Sequence, residues 1–416
     1  MDKTRQCALR ILRRVWEHGA YSNIELSHGM DKYALTGRDR AFCAALVNGT
    51  LERILTLDFM ISLVSDKAEI DPELKAVLRL GFQQLFYMKV PDMAACGESA
   101  ELVREKSKRG FINGVMRSAC RRREELVLAS QRAGNSVKYS LSPEICALLE
   151  AQYGFEAEKI MASFFDPSPL VLRAQALRIS AFDLVKRLCD EGAEAREHPS
   201  LKGAVIVKNG ASSALTAIKQ GLAFAQGLSS QTAVAALEAK PGETVVDVCA
   251  CPGGKTLGAA IDMEDRGRVI SMDLHKNKLS LIEKSAAALG LNIIETSAHN
   301  GKTPRPELIG IADRVICDVP CTGLGAIKGR PEIRYKTFDT VKTLITAQSS
   351  ILESAFCYLK PGGRLVYSTC TLNRDENECV AEEFAAKSGA ALINEKTILP
   401  YKEGFDGFYI AVFEKL

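Results

Sequence analysis

Thr244-Val-Val-Asp-Val-Cys-Ala-Cys-Pro-Gly-Gly-Lys-Thr256 decides the fold. Thr244, Val245 and Val246 are β-branched and continuous, and the turn pair Pro241-Gly242 precedes them, so they read as a short buried strand. Asp247 closes that strand. Pro252, Gly253 and Gly254 make a tight turn, and Thr256-Leu-Gly-Ala-Ala opens a helix. Strand, glycine turn and helix in that order form the nucleotide-binding corner of a doubly wound α/β sheet. Glycine serves there because a side chain would hold a ligand away from the backbone. Gly254-Lys255-Thr256 also looks like the end of a phosphate-binding P-loop, but the glycine required five residues before Gly254 is Cys249. A structural turn without a ligand is the remaining alternative, and the segments downstream argue against it.

From residue 221 onward strands alternate with helices. Strands are expected at 244–248, 268–272, 292–296, 314–318 and 364–368, with a last hairpin within 398–415. Helices are expected at 231–239, 256–264, 276–289, 341–359 and 374–387. This alternation specifies a mostly parallel sheet covered on both faces. Three further strand ends carry polar or thiol groups. Val269-Ile-Ser-Met-Asp273 places an acid about 20 residues beyond the glycine turn, the spacing that suits a ribose diol, although a helix-capping Asp is the bland reading. Asp247 and Asp273 together fit a nucleoside-bearing cofactor. Arg314-Val-Ile-Cys-Asp318 runs into Val319-Pro-Cys321-Thr-Gly-Leu-Gly325, an irregular loop at the carboxyl edge of the sheet. Pro361-Gly-Gly-Arg-Leu-Val-Tyr-Ser-Thr-Cys370 ends another strand on a cysteine. Either cysteine alone reads as packing; two at the ends of separate core strands point to chemistry.

The 416 residues allow two or three domains, here 1–130, 140–215 and 216–416. Residues 4 to 130 read as amphipathic helices, 140–215 as a small α+β subdomain with strands at Leu170-Val-Leu-Arg-Ala and Ala204-Val-Ile-Val, and Gln131-Arg-Ala-Gly-Asn-Ser136 as a polar linker. Arg173 reads as a surface arginine, with RNA contact the alternative. Lys and Arg total 54 against 51 Asp and Glu, so any nucleic-acid surface must be local. The candidate is Arg104, Lys106, Lys108, Arg109, Arg117, Arg121, Arg122 and Arg123, against the alternative of a solvated face. No apolar run is long enough to span a bilayer, and Met1-Asp-Lys-Thr-Arg-Gln leads into a helix without a secretory signal. Thirteen scattered cysteines without zinc spacing fit a reducing cytoplasm and no metal; Cys7, Cys43, Cys96, Cys120, Cys146, Cys189, Cys317, Cys357 and Cys379 are expected in the core.

Arg40-Ala41 with Leu46-Val-Asn-Gly49, Gly81-Phe-Gln-Gln-Leu-Phe-Tyr87 and Gly110-Phe-Ile-Asn-Gly-Val-Met-Arg117 resemble the NusB-like RNA-binding domain. Asp247 to Thr256, Asp318-Val-Pro-Cys-Thr-Gly-Leu-Gly325, Gln348 before Ile351-Leu352, and Tyr367-Ser-Thr-Cys-Thr371 with Glu376-Asn-Glu378 resemble the RNA cytosine-5 methyltransferases. With the helical front, the whole chain resembles their RsmB/Sun branch, which acts on small-subunit (16S) ribosomal RNA. The resemblance implies a Rossmann-like S-adenosylmethionine-dependent methyltransferase domain behind an all-α NusB-like domain and a small α+β subdomain. S-adenosylmethionine has no phosphate, which agrees with a glycine turn lacking the full P-loop. The cofactor residues it implies are Cys249, Ala250, Cys251, Pro252, Gly253, Gly254, Lys255, Asp273, Asn300 and Asp318. Cys370 is the implied nucleophile, Cys321 assists release, Asp318 bonds the base, and Lys255 holds the polar network. The partner is 16S ribosomal RNA and the chain is expected to be a cytoplasmic monomer. Three positions depart from the family pattern: Cys251 stands for Ala, Asn300 for the acid that meets the adenine amino group, and Gly227, after Gln226, for a common acid. A transfer-RNA or DNA cytosine methyltransferase, and an RNA-binding assembly or antitermination factor with an inert methyltransferase half, are the competing readings.

Overall fold

The structure is a computed structural model and describes residues 2–416. The described chain forms two compact units, residues 2–165 with 327–338, and residues 166–326 with 339–416.

The first unit is helical, from Lys3–His18 to Ala157–Ser163. Apolar residues at helical spacing build it: Cys7, Ala8, Ile11, Leu12 and Val15 of the first helix are buried against Leu46, Val47, Val77 and Phe82. Gln131–Ser136 is not an extended linker. The helix Arg123–Arg132 ends within it and Asn135–Tyr139 starts within it, Ser136 donating to the Leu141 carbonyl at 2.6 Å. Residues 327–338 complete this unit. Arg334 is fully buried there and donates to the carbonyls of Tyr139 (2.9 Å) and Phe164 (2.7 Å). Burial pushes its guanidinium down to about 10. The basic cluster expected from sequence is split. Arg109, Arg122 and Arg123 pair with Glu101, Glu125 and Asp92. Arg104 and Lys108, the latter paired with Glu105, line a cavity of about 630 Å³ with Arg10, Arg13 and Arg14 of the first helix, where Arg13 pairs with Glu17 and Arg14 with Glu25.

The second unit holds two sheets. The smaller contains β1 (Leu170–Ala174), β2 (Glu194–Glu197), β3 (Ala204–Asn209) and β4 (Ala223–Ala225), antiparallel in the order β2-β3-β1-β4. Arg173 in β1 is buried and paired with Asp262, so it is not a surface arginine. The larger sheet contains β5 (Thr244–Asp247), β6 (Arg268–Asp273), β7 (Ile294–Ala298), β8 (Ala312–Asp318), β9 (Leu359–Thr369), β10 (Ala391–Ile398) and β11 (Phe408–Glu414). Their order is β10-β11-β9-β8-β5-β6-β7, with β9, β8, β5, β6 and β7 parallel and β11 and β10 antiparallel. Alternate residues feed cores on opposite faces. Val246, Val315 and Leu365 pack with Ile351, Leu352 and Ala355 of the helix Val341–Cys357. Val245, Ile316 and Val366 pack with Leu257 and Ala260 of the helix Gly254–Asp262. Burial on both faces explains the unbroken apolar runs in β5 and β8. Cys189 and Cys379 are exposed rather than in the core. Among the described residues no helix is long and apolar enough to cross a membrane.

Candidate active site

Five adjacent parallel strands deliver the candidate residues to one edge. Cys249–Gly254 follow β5, Asp273 ends β6, Asn300 follows β7, Asp318 ends β8 and Cys370 follows β9. This is the carboxyl edge, where open α/β sheets bind ligands because strand order reverses there.

The β5, β6 and β7 side carries the turn. Val248 N–H donates to the Ile316 carbonyl (3.1 Å) and Ala250 N–H to the Met272 carbonyl (2.9 Å), which continues the ladder into the loop. The Cys251–Pro252 peptide is cis, and Gly253 has φ +111°, a conformation that side chains disfavour. Asp273 accepts from the backbone N–H of Cys251 (3.1 Å) and of His275 (2.9 Å), which fixes its half-buried carboxylate beside the turn. Asn300 is exposed and its side-chain oxygen accepts from Lys302 N–H at 3.2 Å. Asp247 is turned inward instead. It is 1 % exposed, accepts from Thr256 Oγ1 at 2.7 Å, and burial pushes its carboxyl up to about 7. Through that bond it braces the strand–helix corner. Gln226, next to Gly227, donates to the Gly254 carbonyl at 2.8 Å and so anchors the start of the helix. Burial, with Asp273 adding to it, pushes the Cys251 thiol up to about 12; burial likewise raises Cys249. Neither thiol is suited to be a thiolate.

The β8 and β9 side carries the thiols. Cys321 Sγ and Cys370 Sγ lie 3.3 Å apart although 49 residues separate them. Asp318 accepts from Ser368 Oγ on β9 (2.7 Å) and from Lys255 Nζ in the first turn of the helix that follows the glycine turn (2.7 Å). Lys255 thus joins the two halves, and its ammonium also sits 5.1 Å from the centre of the Phe408 ring. Cys370 opens into a cavity of about 170 Å³ lined by Pro169, Ser229, Ser230, Phe405 and Phe408 among others. Sequence reasoning missed the two phenylalanines and Ser368. Gly404-Phe-Asp-Gly-Phe408 falls within the hairpin expected over 398–415, and nothing in it announces a cavity wall. Among the described residues no group of three or more His, Cys, Asp or Glu is placed to hold a metal ion.

The strand order, glycine turn and edge acids define a Rossmann-like methyltransferase sheet joined to a helical NusB-like domain. The RsmB/F model of 16S rRNA methyltransferases matches residues 234–414, the NusB family model residues 2–121, and the ferredoxin-like domain model of RsmF/B-like methyltransferases residues 145–213. The chain is 33 % identical to the probable ribosomal RNA small subunit methyltransferase B of Bacillus subtilis and 30 % identical to that of Synechocystis, with all of each chain covered in both cases. Among solved structures, PH0851 superposes with a TM-score of 0.81 at 21 % identity, covering 100 % of this chain and 99 % of that one. NSun6 of Pyrococcus horikoshii, solved with SFG, gives 0.59 at 22 %, covering 66 % of this chain and 98 % of that one. The chain belongs to the family of ribosomal RNA small subunit methyltransferases B.

Proposed function

We propose that this chain transfers a methyl group from S-adenosylmethionine to C5 of a cytidine in 16S ribosomal RNA, through a covalent bond between Cys370 and the base. The contact between the two thiols at the end of β8 and β9 carries the reading. The residues present fit the cofactor. A carboxylate held by two backbone N–H groups suits a ribose diol, and the glycine turn provides close approach without a phosphate cradle. On this reading Cys249–Lys255, Asp273, Asn300 and Asp318 surround the cofactor, with Asn300 accepting from the adenine amino group.

C5 of cytosine is a poor nucleophile because the aromatic ring holds its electrons. Cys370 as thiolate forms a bond to C6, and the C5=C6 electron pair becomes available at C5. The sulfonium of S-adenosylmethionine supplies the electrophilic methyl. Asp318, fixed by Lys255 and Ser368, meets the N3 and amino edge of the base and stabilises the adduct as charge develops. The C5 proton then passes to water, the C5–H electron pair re-forms C5=C6, and the Cys370 sulfur leaves as thiolate; the S–H of Cys321, in contact with that sulfur, stabilises it as it departs and so assists this release. The target base enters the Cys370 cavity flipped or from a single strand, past Phe405. Arg10, Arg13, Arg14, Arg104 and Lys108 supply phosphate contacts in the helical unit.

Labelled methyl transfer, run in parallel on unmodified small-subunit RNA, transfer RNA and DNA, tests the function. Label at C5 of cytidine in the small-subunit RNA alone is expected. Label on transfer RNA or DNA instead, or on none of them, overturns it. Replacing Asp273 with alanine removes a charge-assisted contact to the cofactor, so calorimetry is expected to show affinity weakened about 10- to 100-fold. Equal affinity would refute the ribose role.

A further inference from the structure

The residues that follow the two thiols are paired as the thiols are. Thr322 follows Cys321 and Thr371 follows Cys370; both are buried and their hydroxyl oxygens lie 2.6 Å apart. Behind them sits Glu376, 0 % exposed. One of its oxygens accepts from Thr322 N–H (2.9 Å) and Gln348 Nε2 (2.9 Å). The other accepts from Thr322 Oγ1 (2.5 Å) and Asn373 Nδ2 (3.1 Å). Four donors fill the capacity of an ionised carboxylate and suit no protonated one. Because the Thr322 hydroxyl proton is committed to Glu376, Thr371 donates to Thr322 and accepts from Asn373 N–H at 3.3 Å. Gln348 Nε2 also reaches the Pro320 carbonyl at 2.9 Å. One carboxylate therefore ties both sides of Cys321, Thr322 directly and Pro320 through Gln348, to Asn373 and Thr371 beyond Cys370.

We propose that Glu376 is a positioning residue of the thiol pair: through Thr322 and Thr371 it holds the two loops in register, and its charge keeps Cys321 the proton-bearing member so that Cys370 ionises. This rests on the reading of Cys370 as nucleophile. Two sulfurs in contact do not both ionise near neutral pH, because like charges at that distance disfavour each other. The groups facing Cys321 are Cys370, Glu376, Asp318 with its Lys255 partner, and Tyr367. The bond to Cys370 and burial hold the Cys321 thiol well above its usual value, and the charges of Glu376 and Asp318 add to this. Cys370 instead opens into the cavity, where Asp406 is the acidic residue of the lining.

Two variant sets test this. In a Cys370→Ser background Cys321 is left as the thiol of the pair with a hydroxyl partner. Adding Glu376→Gln removes the charge beside it. The pH midpoint of Cys321 alkylation by iodoacetamide, followed by peptide mass spectrometry, is expected to fall by about one unit or more. A loop merely loosened by the substitution would relieve burial and so also raise the limiting alkylation rate at high pH; the charge effect is a fall of the midpoint with that limiting rate unchanged, and a fall accompanied by a faster limiting rate counts against it. In the otherwise unaltered enzyme, Thr371→Val removes one hydroxyl from the chain without changing size. It is expected to lower kcat about tenfold with KM for RNA and cofactor affinity unchanged, and Thr371→Ser to restore it. Should the Glu376→Gln protein fail to fold, the Thr371 pair carries the test. An unmoved midpoint, or full kcat in the Thr371→Val enzyme, overturns the role of Glu376. Activity in the Cys370→Ala enzyme would instead overturn the reading of the site itself, so the two failures are distinct.

Discussion

The Cys370→Ala enzyme is expected to lose methyl transfer by a factor on the order of 10⁴ or more while binding S-adenosylmethionine as before. The size follows from the chemistry rather than from packing. Without a sulfur at C6 the ring keeps its aromatic electrons and C5 has no pair to offer the methyl group. Alanine in that position leaves the cofactor side intact, because the residues proposed for the cofactor stand on β5, β6, β7 and β8 and on the glycine turn. Folding is also largely spared: the cysteine side chain is half-buried, lines a cavity and packs only against the margin of a core. Labelled methyl transfer together with cofactor calorimetry reads both halves. Undiminished turnover would remove Cys370 from the nucleophile role.

The Cys321→Ala enzyme is expected to do the opposite of losing contact with RNA. The proposed nucleophile at 370 remains, so addition to C6 and methyl transfer should proceed once per enzyme, and release should stall. A slow-migrating protein–RNA species should accumulate on denaturing electrophoresis, with label incorporated in an amount matching the enzyme and a steady-state rate lowered about 10²-fold or more. The thiol contact at 3.3 Å is what separates this outcome from a general loss, since Cys321 stands against the sulfur that must depart. Its thiol is held well above its usual value, so it stays protonated through the physiological range. If no such species forms, Cys321 has no part in release.

Much of this was legible from residues alone because the parallel strands are buried on both faces. Expected strands at 268–272 and 314–318 correspond to Arg268–Asp273 and Ala312–Asp318, and the expected helix at 276–289 is Lys276–Leu289. The carboxyl-edge position of Asp273, Asp318 and Cys370 follows from the same pattern. What could not be read lies where polarity hides regular structure. The final hairpin was expected within 398–415, yet its first strand is Ala391–Ile398, whose middle residues Glu395 and Lys396 face solvent on the edge of the sheet. β2, Glu-Ala-Arg-Glu, is another polar edge strand with no apolar signal. Arg173 looked like a surface residue because its partner Asp262 lies 89 residues on. Arg334 lay in a stretch without periodicity and is fully buried, held by carbonyls of residues 139 and 164. Glu376 was legible as part of a motif, but its four donors come from three separate segments, and only the fold assembles them.

The bond between Cys370 and the base is the centre of the account, and a substrate that cannot finish the reaction tests it most directly. Small-subunit RNA carrying 5-fluorocytidine has no C5 proton to lose after methylation, so the adduct should persist. After incubation with enzyme and S-adenosylmethionine, digestion and tandem mass spectrometry should find a methylated fluorocytidine joined to the peptide that contains Cys370. The same mass on the peptide containing Cys321, or no covalent product while ordinary RNA is methylated, would contradict the assignment.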